Sequence, residues 1–142
     1  MMKYHFKTHK EKAGFWAECL ELNGCSTQAD TREELYKNCE EVLNLFLEES
    51  PDSKIVFPLP DNSLDAQKNI MKIRVEPEIA LAVLLRNYRL NSNMTQKQAA
   101  EMLGMKNIYS YQRLEKKSNP TLAVINKIHT TFPEIELNYL LQ

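Results

Sequence analysis

The chain has 142 residues, 43% hydrophobic and 26% charged, with a formal net charge of -1, enough apolar content for a packed core and too much for wholesale disorder. No apolar run approaches the ~18 residues of a membrane span, and the polar start Met1-Met2-Lys3-Tyr4-His5 lacks the apolar stretch of a signal peptide. Three cysteines, Cys19, Cys25 and Cys39, are too few and of the wrong parity for a disulfide scaffold, so the expected location is a reducing cytoplasm.

Residues 2–9 alternate, with Met2, Tyr4, Phe6 and Thr8 on one side and Lys3, His5, Lys7 and His9 on the other, the pattern of a half-buried strand. Glu11-Lys12-Ala13-Gly14 predicts a turn into a second strand over Phe15–Cys19, and Asn23-Gly24 a turn into a third over Cys25–Ala29. Thr31 and Glu34 form a capping box. Behind them Leu35, Cys39, Val42, Leu43 and Phe46 make one apolar stripe on a helix, which Ser50-Pro51 ends. Residues 51–66, with Pro51, Pro58 and Pro60, have the character of a linker. Alternation returns at Ile70–Val75, a fourth strand that can rejoin the sheet. The first part is thus an α+β unit of order β-β-β-α-β.

From Pro77 onward the apolar period is helical. Ile79, Val83 and Leu84-Leu85 predict a helix to about Leu90. Thr95 caps a second that ends at Gly104, and a third runs from about Ile108 to Lys116. Asn119-Pro120 opens a fourth with Leu122, Ile125 and Ile128 inward, and Ile135–Leu141 is a final apolar segment. Charge divides along the same line. Residues 1–60 hold 7 Lys/Arg against 11 Asp/Glu, whereas 86–130 hold 8 against 2, a contrast that suits a basic partner for one half and a polyanion for the other.

Within the helical half, Met94-Thr95-Gln96-Lys97-Gln98-Ala99-Ala100-Glu101-Met102-Leu103-Gly104 is followed by Tyr111-Gln112-Arg113-Leu114-Glu115. A small residue at Ala100 allows close helix approach, and Gly104 supplies a positive φ. Leu103, Met105, Tyr111 and Leu114 fit a shared core, and Glu115 can tie the recognition helix to nearby basic groups. Residues 77–132 resemble the lambda-repressor/Cro-like helix-turn-helix family, with one residue more than its usual spacing between Gly104 and Tyr111. The resemblance implies a recognition helix in the major groove. With Ile108, Tyr111 and Leu114 inward, Asn107, Tyr109, Ser110, Gln112 and Arg113 are left for bases. Arg113 suits guanine, and Asn107 or Gln112 suits adenine. Thr95, Gln96, Lys106, Lys116, Lys117 and Asn119 are the expected phosphate contacts.

The first half carries a second resemblance. Tyr4, Gly14-Phe15-Trp16-Ala17, the run Leu22-Asn23-Gly24-Cys25-Ser26-Thr27-Gln28-Ala29-Asp30-Thr31-Arg32-Glu33-Glu34-Leu35 and Val56-Phe57-Pro58-Leu59-Pro60 resemble the HicB-type antitoxins over residues 2–75. Ala29 stands where that family usually has Gly, and Leu20-Glu21 replaces a proline-bearing stretch. The resemblance implies a partial RNase H-like fold that blocks a HicA-type mRNA-cleaving toxin, with autoregulation of the operon through the C-terminal domain. Many relatives carry a ribbon-helix-helix there, whereas this chain reads as helix-turn-helix.

Nuclease chemistry is not expected. Two-metal hydrolysis needs converging carboxylates, and Met2–His9 contains no Asp or Glu. Asp30 flanks a helix cap, and Glu18 is a solvated strand residue. His5 and His9, about 13 Å apart on one strand, are expected at the surface, and Cys19 and Cys25 are expected to be buried thiols rather than metal ligands. Phe15 and Trp16 lie on opposite faces, one for the core and the other free to anchor a protein partner.

The sequence therefore predicts a cytoplasmic antitoxin and no enzyme, cofactor or metal. Residues 1–76 would neutralise a HicA-type toxin, and 77–142 would bind operator DNA and form a homodimer or higher homo-oligomer, with Ile135–Leu141 as the expected contact unless that segment folds back on its own bundle. The alternative is a phage-type transcriptional repressor whose N-terminal domain senses a ligand.

Overall fold

The computed structural model describes residues 1–50 and 52–141. They form two compact units, one of Met1–Leu47 with Pro58–Glu76, the other of Glu48–Phe57 with Pro77–Gln142. None of the described helices is long and apolar enough to cross a membrane.

The first unit contains β1 (Lys3–Glu11), β2 (Gly14–Cys19), β3 (Ser26–Ala29), α1 (Arg32–Leu47), a 3-10 helix (Asn62–Ala66) and β4 (Ile70–Arg74). The strands form an antiparallel sheet in the order β3-β2-β1-β4. This is the β-β-β-α-β sequence order, with a 3-10 helix added in the stretch read as linker. Tyr4, Phe6, Ala17 and Ile73 are fully buried, and the register sets Tyr4 opposite Ile73 and Phe6 opposite Cys19. The two-residue turn after β1 needs Gly14, whose φ is +105°. A Cβ there would sit 2.6 Å from the carbonyl oxygen of Ala29 on the neighbouring chain segment.

Thr31 Oγ1 accepts the Glu34 N–H at 3.2 Å, starting α1 where the sequence places it. Pro51, expected to stop the helix, lies outside the described residues. The buried stripe is Leu35, Cys39, Leu43 and Leu47, at a strict four-residue interval, while Val42 and Phe46 are only half-buried. Asn44, also buried, accepts the Glu76 N–H on Oδ1 at 2.8 Å and donates from Nδ2 to Glu40 O at 2.7 Å. One polar side chain thereby fixes the end of β4 to α1. Burial pushes the Cys39 thiol up to about 12, and Cys19 and Cys25 are buried free thiols.

Three side-chain expectations are corrected, one of them in the helical half, where Leu122, expected inward, is 87% exposed. His5 is not a surface histidine. It is fully buried, with Nδ1 2.7 Å from Glu21 Oε2 and Nε2 2.5 Å from Asp65 Oδ1. Carboxylates only accept hydrogen bonds, so both ring nitrogens are satisfied only as the imidazolium. Burial works against that charge, but the bonds to Asp65 and Glu21 outweigh it and raise the His5 pKa. Glu21 also accepts the backbone N–H groups of His5 (3.0 Å) and Asp61 (3.1 Å), which closes the loop around the ring. The expected core aromatic of the Phe15–Trp16 pair is absent, since both are half-buried. Arg32 lies 4.9 Å over the Phe15 ring, and Trp16 stacks on His9 at 4.1 Å.

The second unit contains α2 (Pro77–Asn91), α3 (Gln96–Met102), α4 (Ile108–Leu114), α5 (Leu122–Thr131) and a 3-10 helix (Leu137–Leu140). Every residue from Ile79 to Asn87 is buried, so α2 is enclosed by its neighbours rather than amphipathic. The segment before the first unit's return also belongs here. Phe57 is buried, and the Asn87 amide accepts its N–H at 3.2 Å and donates to its C=O at 2.8 Å, as a neighbouring strand would. The final apolar segment packs onto α2 through its 3-10 helix, and Ile135 is buried. Leu137, Tyr139 and Leu140 are half-buried there, and Leu141 is 68% exposed.

Candidate nucleic-acid interface

Three helices and two tight turns build the site. Asn93, at φ 56°, closes α2. Its N–H donates to Leu90 O at 3.1 Å and that of Met94 to Arg89 O at 3.0 Å. Gly104, at φ 67°, closes α3 in the same way, with bonds from its own N–H to Glu101 O and from Met105 to Ala100 O. Asparagine and glycine tolerate this left-handed conformation at a helix end. Thr95 and Gln98 form a reciprocal capping box at the start of α3. Asn107 caps α4 by accepting the Ser110 N–H at 3.0 Å. Ala99 and Ala100 are buried, as are Leu103, Tyr111 and Leu114. The small residues let α4 approach α3, and the large ones fill the space beneath it.

Behind α4 lies a polar cluster that periodicity did not reveal. Glu115 is 1% exposed, and its carboxylate takes the Arg89 guanidinium in a fork, Nε to Oε2 at 2.6 Å and Nη2 to Oε1 at 3.0 Å. Arg86, also 1% exposed, donates to the Glu115 backbone carbonyl at 3.1 Å. Burial lowers the Arg86 pKa. It acts on Arg89 in the same sense, but there the Glu115 carboxylate prevails and raises it. Burial also pushes the Tyr111 phenol up, so it stays neutral. Glu115 therefore ties the recognition helix to α2, the role its sequence position implied. Two arginines counted in the basic excess are consequently structural. The surface excess nonetheless stands, with Lys97, Lys106, Arg113, Lys116, Lys117 and Lys127 exposed in this region against Glu101.

The chain of bonds continues outward. Gln96 donates to Glu115 Oε1 at 3.3 Å and accepts from Gln112 Nε2 at 2.9 Å. Tyr109, Gln112, Arg113 and Lys116 follow one another at i, i+3, i+4 and i+7, one strip along α4 and the turn after it. Tyr109, Arg113, Lys116, Lys117, Lys106, Asn107, Thr95 and Asn119 are exposed, and Ser110, Gln112 and Gln96 half-buried. The two candidates for adenine differ in readiness. Asn107 Oδ1 is occupied by its cap and by the Ser110 hydroxyl at 3.2 Å. Gln112 has one amide hydrogen on Gln96, and among the described residues its other hydrogen and its carbonyl oxygen have no hydrogen-bond partner. Among the described residues, no group of three His, Cys, Asp or Glu could hold a metal ion.

A helix-turn-helix family matches residues 85–140. The second unit carries a helix-turn-helix. That assignment points to DNA-binding transcription regulation, and it covers α2 from Leu85 through the terminal 3-10 helix. No curated protein matches the chain.

Proposed function

We propose that this chain is the antitoxin of a type II toxin–antitoxin system, acting in the cytoplasm without catalysis. The helix-turn-helix of the second unit binds operator DNA and represses the operon. The observation that carries this part is the strip on α4 with exposed lysines in the flanking turns, held from behind by Glu115. Operators read by such motifs are usually paired half-sites, which favours a homodimer. Leu122 at the start of α5, 87% exposed, and Leu141 in the terminal segment, 68% exposed, are apolar side chains available for that contact.

The first unit binds and blocks a HicA-type toxin. This reading rests on the HicB resemblance of residues 2–75 and on the outward side of α1, where Glu33, Glu34, Glu41, Tyr36 and Leu45 are exposed. Acidic groups there would speed encounter with a basic RNA-binding protein, and the tyrosine and leucine would supply apolar contact. The reading without catalysis is supported by the pairing of carboxylates with histidines, Glu21 and Asp65 with His5 and Glu18 with His9 at 2.9 Å.

The test uses the full chain. Binding to DNA upstream of its own gene should weaken steeply with salt, with a log–log slope of about −0.9 per phosphate neutralised, and Lys116→Ala with Lys117→Ala should reduce the slope by about 2. Co-expression with a short, basic neighbouring reading frame should yield a stable complex. A chain that binds the operator but neither captures nor silences the neighbouring product would be a repressor of the phage type.

A further inference from the structure

The outward strip of α4 contains one side chain for which the fold has no use. Tyr109 is 71% exposed, while Ile108 beside it is half-buried and Tyr111 and Leu114 fill the core. Its hydroxyl makes no hydrogen bond among the described residues. It is also the only large apolar surface on that strip, where Gln112, Arg113 and Lys116 follow at i+3, i+4 and i+7. Of these, Gln112 is already oriented by Gln96.

We propose that Tyr109 selects a thymine in the operator through its C5 methyl group, which packs on the tyrosine ring. The inference rests on the operator-binding reading above. Of the groups that base pairs present in the major groove, only the thymine methyl is apolar, so it is the natural partner for an exposed ring on a recognition helix. The position also sets a spacing. Arg113, suited to guanine N7 and O6, stands four residues further on, a rise of about 6 Å. Successive bases are about 3.4 Å apart along a strand. Each half-site therefore holds a thymine and a guanine about two base steps apart.

Selection of the full chain against random duplexes, followed by binding to the enriched sequence with each fixed thymine replaced in turn by uracil, tests this directly. Uracil removes the methyl and nothing else. One replacement should weaken binding by the wild type by about fourfold, the weight of a single buried methyl. Tyr109→Ala should bind the parent duplex more weakly and lose nothing further on that uracil, and Tyr109→Phe should behave as the wild type. The proposal is overturned if the wild type is indifferent to every uracil, or if Tyr109→Ala keeps the methyl dependence. It is equally overturned if Tyr109→Phe alone loses affinity on all sequences, since the hydroxyl would then be bound to phosphate. Enrichment of no duplex at all would defeat the operator reading itself, an outcome distinct from enrichment without methyl dependence.

Discussion

Replacing Arg89 by Met should unfold the second unit's polar cluster without touching its apolar core. Arg89 gives Glu115 two charge-assisted hydrogen bonds and gives Met94 O a third at 3.1 Å. Its loss leaves a carboxylate at 1% exposure with the weaker Gln96 bond at 3.3 Å, the neighbouring charge of Arg86 and the Tyr111 phenol. Breaking a buried pair on one side typically costs about 3–5 kcal/mol, and Arg86 places the expectation near the lower end. For a unit of this size about 3 kcal/mol corresponds to a fall in Tm of about 12–24 °C, out of a total stability of about 5–15 kcal/mol. Arg89→Met combined with Glu115→Leu removes both charges and should recover most of that loss, since apolar replacement of a buried pair is often neutral. DNA binding should not recover with it, because Gln96 and through it Gln112 would have lost their anchor. Thermal melts of the three variants, with DNA binding by fluorescence anisotropy alongside, measure both effects. A single variant melting within about 4 °C of the wild type would refute the cluster's role in stability. A double variant with full DNA affinity would refute its role in aligning Gln112.

Much of this architecture is written in local patterns. The alternation of Met2–Thr8, the capping box at Thr31, and Gly104 ahead of Tyr111 each encode an element through neighbouring residues alone, and the structure contains those elements where the patterns place them. What escaped the sequence are interactions between distant residues. His5 alternates correctly as an outward strand residue, yet Glu21 and Asp65, 16 and 60 positions away, close over it. Nothing in its strand signals that burial. Arg86 and Arg89 count as surface charge until Glu115, from another helix, is placed between them. Residues 51–66 have the composition of a linker, yet Phe57 is taken up by Asn87 across 30 positions. Exposed Tyr109 and Arg113 were legible because they follow from the inward spacing of Ile108, Tyr111 and Leu114. The Gln96–Gln112 bond, which separates the two adenine candidates, was not.

Three further expectations follow from those distant contacts. The raised His5 pKa makes the first unit's stability pH-dependent with a definite sign: the contribution is complete below the unfolded value of 6.5 and is lost as pH rises through the higher folded value. Melts between about pH 5.5 and 8.5 should show that decline in the wild type and a flatter profile in His5→Gln; equal slopes would assign the dependence to other groups. Another expectation concerns Asn87, whose amide bonds both backbone groups of buried Phe57. Asn87→Ala should cost about 1–3 kcal/mol, because both backbone groups of buried Phe57 lose the hydrogen bonds the amide makes to them. The same contact bears on how the chain can be divided. A fragment cut at Glu76-Pro77 carries residues 48–57 away from the helices that bury Phe57, so 77–142 should melt well below the same unit in the full chain. Addition of a peptide spanning 48–57 should raise its Tm in a concentration-dependent manner. A fragment as stable as the intact unit, and indifferent to the peptide, would mean that the Phe57 segment is only laid against the helices and contributes nothing to their stability.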